Sequence, residues 1–98
     1  MIFSYREDGY EISDEDKELI EQKIGKLRKF DPRVADESVK IHVNVFRGVR
    51  HESPNFGIRA QLTIPGNSLR AEASGKTVAD VIDEVERKLR TQIEKLKS

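Results

Sequence analysis

The 98 residues are 36% hydrophobic and 37% charged, which supports one domain with a single two-layer core and leaves no room for a second. The 18 Lys and Arg balance the 18 Asp and Glu, which excludes a uniformly basic nucleic-acid binder, so any positive surface must come from how the charges are distributed. No cysteine is present, which removes disulfides, thiolate nucleophiles and cysteine-held zinc, and no signal-peptide pattern or run of about 18 apolar residues occurs, so a cytoplasmic location is expected.

Ile2 to Arg6 predicts a short first strand, closed by the turn-forming Glu7-Asp8-Gly9. Ser13 with Asp16 three residues later is a variant of the capping box, and Asp14 and Glu15 add negative charge where a helix dipole is positive, so a helix starts at Ser13. Ile20, Ile24 and Leu27, flanked by Leu19 and Phe30, give it one apolar stripe, and Pro32 requires it to end. Val39, Ile41, Val43 and Val45 alternate with Lys40, His42 and Asn44, the period-two signature of a strand with one buried face.

Residues 47–55, with Gly48, Ser53 and Pro54, predict a loop between strands. Phe56, Ile58, Ala60, Leu62 and Ile64 alternate again, Pro65-Gly66-Asn67 turns the chain, and Leu69, Ala71 and Ala73 return it. Thr77 caps a second helix with Asp80 at the third helical position, and Val78, Ile82, Val85, Leu89, Ile93 and Leu96 run along one face nearly to Ser98. The expected fold is α+β, in the order β-α-β-β-β-α, with both helices packed on one face of a four-stranded sheet and the other face open to water, all within one domain of residues 1–98.

Little in this pattern suggests catalysis. His42 and His51 lack convergent partners, and Gly75-Lys76-Thr77 lacks the upstream glycine of a P-loop, although Lys76 beside free helix amides makes a plausible phosphate contact. No enzymatic activity, metal, cofactor or small-molecule substrate is expected. The acid clusters Asp14-Glu15-Asp16 and Asp83-Glu84-Glu86 read as dipole stabilisation and solubility.

The cations are more informative. Lys23, Lys26 and Lys29 extend along the first helix, while Arg87, Lys88, Arg90 and Lys95 crowd the second, with Lys88 and Lys95 on one side. Arg59 and Arg70 carry the outward parity of the sheet together with Gln61. Cations near helix C-termini are expected whatever the function, and Glu84–Lys88 and Glu86–Arg90 have the spacing of i,i+4 pairs. Arg59 and Arg70 on a sheet face are less easily explained that way, and tilt the reading towards RNA.

Glu11-Ile12-Ser13, Lys23-Ile24-Gly25-Lys26-Leu27, Ala71-Glu72-Ala73-Ser74-Gly75, Ala79-Asp80-Val81-Ile82-Asp83, Lys88-Leu89 and Gln92-Ile93 with Lys95 give the chain a resemblance to the ribosome hibernation-promoting and ribosome-associated inhibitor family, also called sigma-54 modulation proteins. The resemblance spans nearly the whole chain and implies a fold like a double-stranded-RNA-binding domain with an added first strand. It implies binding to the small ribosomal subunit and its rRNA, in the channel of messenger and transfer RNA, with ribosome dimers as a further partner and no membrane contact. By position, Lys23, Lys26, Lys88 and Lys95 match basic residues of the family's helices and Gln92 matches its glutamine. Ala79 stands where many members have tyrosine, and Thr91 where an arginine commonly precedes that glutamine. The chain resembles a short form or an N-terminal domain. The competing reading is a stand-alone double-stranded-RNA-binding module, which usually gathers several lysines at the start of its last helix, where this chain has Lys76 alone.

Overall fold

The computed structural model describes residues 1–47 and 56–96; most of the expected loop, His51 and Lys97 lie outside the described residues. Strand β1 (Ile2–Asp8) leads into helix α1 (Asp14–Gly25) and a single 3-10 turn (Lys26–Lys29). Strands β2 (Lys40–Arg47), β3 (Phe56–Ile64) and β4 (Asn67–Gly75) follow, and helix α2 (Val78–Leu96) closes the order. The α+β arrangement β-α-β-β-β-α is the one expected.

The sheet runs β1-β2-β3-β4 and is mixed: β1 is parallel to β2, whereas β2, β3 and β4 are antiparallel neighbours. A parallel neighbour requires a crossover, and α1 supplies it. Register aligns the apolar alternation of every strand. Phe3 and Ile41 are partners, Ile41 faces Leu62, and Leu62 faces Leu69 on one rung, while Tyr5, Val43, Ala60 and Ala71 form the next.

These rungs meet Ile20, Ile24 and Leu27 from the first helical segment and Ile82, Val85, Leu89 and Ile93 from α2. None of these seven helical side chains is more than 1% exposed. The opposite sheet face carries Ser4, His42, Arg59 and Arg70, all exposed.

Both caps follow the sequence. Ser13 accepts a hydrogen bond from the Asp16 amide at 3.0 Å, and Thr77 accepts one from the Asp80 amide at 3.2 Å. Three details differ from expectation. β1 continues to Asp8 because its backbone keeps pairing with β2 as far as Phe46, whatever its side-chain polarity, until Gly9 at φ +75° ends it. The turn between β3 and β4 needs only Pro65 and Gly66, since Ile64 already pairs with Asn67 and Gly66 supplies the positive φ of +78°.

The first helix also tightens into its 3-10 turn before Pro32, which has no amide hydrogen to continue an α-helical ladder. Asp31, 4% exposed, then organises the exit. Its carboxylate accepts from the Arg33 amide at 2.8 Å, from Arg33 Nε at 3.1 Å and from Arg33 Nη2 at 2.8 Å.

The division into one buried and one open face predicts opposite outcomes for two truncations. Leu89→Ala lowers the free energy of unfolding by about 2–5 kcal/mol in a denaturant titration, whereas Ile2→Ala, at a position 53% exposed, changes it little. Equal effects would place the core elsewhere.

Candidate nucleic-acid interface

The expected cations fall on three separate surfaces. The first is the crossing of α1 and α2. Lys23, in the last turn of α1, reaches across to Asp83 near the start of α2, with Nζ 2.8 Å from Oδ1. Lys26 and Arg87 add their fields at the same carboxylate. The hydrogen bond from Lys23, helped by the charges of Lys23, Lys26 and Arg87, holds the Asp83 carboxyl below the usual carboxylate range. Lys29 is exposed in the 3-10 turn next to this crossing. Arg90 lies 5.7 Å from the centre of the Phe30 ring and 4.0 Å from Glu86.

The second surface is the edge of β4. Arg87 and Lys88 are consecutive on a helix and so point about 100° apart, and Lys88 turns away from α1 towards the sheet. Its Nζ donates to the Glu72 carbonyl at 2.7 Å and stands 3.7 Å from Glu84. One turn on, Gln92 Nε2 donates to the Arg70 carbonyl at 2.5 Å, and Gln92 Oε1 accepts from the Arg70 amide at 3.3 Å. β4 is an edge strand, and these side chains occupy backbone groups that another strand would otherwise find. Lys95 continues this side of α2 in its last turn.

The third surface is the open sheet face. Arg59 pairs with Glu72 directly opposite on β4 at 2.8 Å and lies 5.2 Å from the centre of the Phe46 ring. Arg70 is exposed on the same face, opposite Gln61. Between β1, β2 and β3 a depression of about 270 Å³ is lined by Ser4, Arg6, His42, Asn44, Arg59 and Gln61. Ser4 Oγ and His42 Nδ1 are 2.5 Å apart, and Asn44 Oδ1 is buried without a hydrogen-bond partner. Lys76, last of the expected contacts, is exposed just before the cap of α2.

The sequence did not single out Phe46, and it read Asp83 only as one of the acids of Asp83-Glu84-Glu86 that serve dipole stabilisation and solubility. Phe46 continues the outward parity of Lys40, His42 and Asn44, which is the signal that could have found it, and its ring lies over Gly57, where any side chain would collide with it. Asp83 carried no such signal, because its partner comes from α1.

Among the described residues, no helix is long and apolar enough to cross a membrane, and no group of three or more metal-binding side chains is assembled. Residues 3–98 match the family model described as sigma 54 modulation protein / S30EA ribosomal protein. A curated relative, the ribosome hibernation promotion factor of Deinococcus radiodurans, is 27% identical over 88 residues, which cover 90% of this chain. The match spans 44% of the relative's length. The N-terminal domain of Thermus thermophilus Protein Y superposes with a TM-score of 0.78 at 20% identity, covering 98% of this chain and 99% of that one. A ribosomal subunit interface protein from Coxiella burnetii gives 0.81 at 23% identity, covering 99% and 98%. These two structures establish the likeness of fold.

Two measurements check the geometry. Gly57→Ala costs about 1–3 kcal/mol through overpacking against Phe46, and most of that cost disappears in a Phe46→Ala background; a full penalty in both backgrounds would rule out the ring as its cause. Because the folded pKa of Asp83 is depressed, its contribution to stability is present above the unfolded value of about 3.9 and is lost as pH falls through the folded value. The melting temperature of Asp83→Asn therefore declines less on acidification below about pH 4 than that of the unsubstituted protein, and superposable profiles would mean that the pair adds nothing.

Proposed function

The chain belongs to the sigma 54 modulation protein / S30EA ribosomal protein family, and from that premise we propose that it is a ribosome-binding translation inhibitor. It acts by occupying the channel of messenger and transfer RNA on the small subunit during stress or stationary phase. The observation that carries this reading is the family match over residues 3–98, which takes in every strand and helix of the fold except Ile2 at the start of β1. The name of the Deinococcus radiodurans relative supports it.

The mechanism is steric and electrostatic. A folded body held in an RNA-lined channel excludes other occupants without any bond being made or broken. Exposed Lys26, Lys29 and Arg87 beside the helix crossing supply backbone contacts, which give affinity but carry no sequence information. Arg59 and Arg70 offer a second contact surface on the open sheet face. A body with cations on opposite sides suits a channel with RNA on more than one wall. The protein works in the cytoplasm, where ribosomes are.

Co-sedimentation with bacterial ribosomes and separated subunits, at low and high salt, tests the proposal. The expected result is binding to the small subunit and the whole ribosome that weakens steeply with salt, together with inhibition of translation in vitro. Binding to free duplex RNA but to no ribosomal particle would replace this reading with the stand-alone RNA-binding module.

A further inference from the structure

The geometry points to Asp83 as a built-in counter-ion at a phosphate site: its carboxylate sits among Lys23, Lys26 and Arg87 in the free protein and is displaced when an RNA phosphate binds there. This deepens the ribosome-binding reading and rests on it for the source of the phosphate.

The acids of α2 are not equivalent. Glu84 and Glu86 pair with Lys88 and Arg90 within their own helix, at 3.7 and 4.0 Å. Asp83 instead contacts Lys23 of α1 at 2.8 Å, and the charges of Lys26 and Arg87 act on it as well. One carboxylate thus touches one cation and stands in the field of two more, contributed by α1, the 3-10 turn and α2. A tetrahedral phosphate offers several acceptor oxygens where a carboxylate offers two, and so can engage cations arriving from different elements at once.

The site is also open. The Asp83 side chain is 49% exposed and that of Lys23 30% exposed, so solvent screens the pair and little free energy opposes its exchange for another anion. The carboxylate therefore offsets part of the repulsion among the three cations until a phosphate takes its place, and it competes with weaker anions in the meantime.

Asp83→Asn tests this, since it keeps the shape of the side chain and removes the charge. Ribosome affinity in co-sedimentation is expected to rise about three- to tenfold at low salt. The dependence of log K on log salt is expected to steepen by up to about 0.9, the contribution of one further phosphate contact. Both changes are expected to shrink in a Lys23→Gln background, where the cation that Asp83 restrains is gone. Lower or unchanged affinity in a folded Asp83→Asn protein, checked by its melting temperature, would overturn the proposal and leave Asp83 as a clamp between helices.

Inorganic pyrophosphate, followed by NMR of the lysine and arginine side chains, separates this proposal from the ribosome reading. Tighter binding to Asp83→Asn, with shifts at Lys23, Lys26 and Arg87, supports the counter-ion even if no ribosomal particle is bound. Shifts that ignore the substitution, or that fall elsewhere, count against it.

Discussion

A chain that is 36% hydrophobic has enough apolar side chains to cover one face of a four-stranded sheet, and the rest of the structure follows from that limit. The alternation in β2, β3 and β4 puts Ile41, Val43, Ile58, Leu62 and Leu69 on a single side. Both helices must then lie on that side, because only there can their apolar stripes be buried. The two helices meet each other as a consequence, and Lys23 comes within reach of Asp83. The other sheet face is left for Arg59, Arg70, His42 and Asn44. Every candidate contact surface is thus a remainder of core formation.

Much of this was legible because it is periodic or local. Strand alternation, the Ser13 and Thr77 caps and the apolar stripe of α2 are written within a few residues of one another, and the element order follows from them. The parallel pairing of β1 was not legible, since its weakly alternating five residues do not name a partner. The 3-10 turn at Lys26–Lys29 was hidden for a different reason. Its apolar spacing continues that of α1, so the tightening shows only in the backbone, ahead of Pro32 with its missing amide hydrogen.

The candidate interface was legible as a list of side chains and not as a surface. Adjacent positions on α2 serve different neighbours: Arg87 lies on the side of the helix crossing, and Lys88 holds the edge of β4. Their separation depends on which strand lies beside α2, information that resides in the sheet order and not in helical spacing. Gln92 shows this most clearly. In the sequence it is a polar residue among cations, whereas in the fold both ends of its amide are engaged by the Arg70 backbone. A residue in that position stabilises the edge of the sheet whether or not RNA is present.

Overall neutrality also takes on a physical meaning once the partners are known. Lys23, Lys88, Arg59 and Arg90 each lie beside a carboxylate on a partly exposed surface, where an ion pair typically contributes about 0–1 kcal/mol. Pairs that weak hold cations in position without committing them, so zero net charge does not prevent a phosphate-rich partner from engaging them one by one. What neutrality removes is long-range attraction, which depends on the summed field and fades beyond about 10 Å at 0.1 M salt. In the proposed role, recognition then depends on fitting close to the RNA, where individual carboxylates can be exchanged for phosphates. A closely fitting channel provides that proximity, and a free duplex in solution does not.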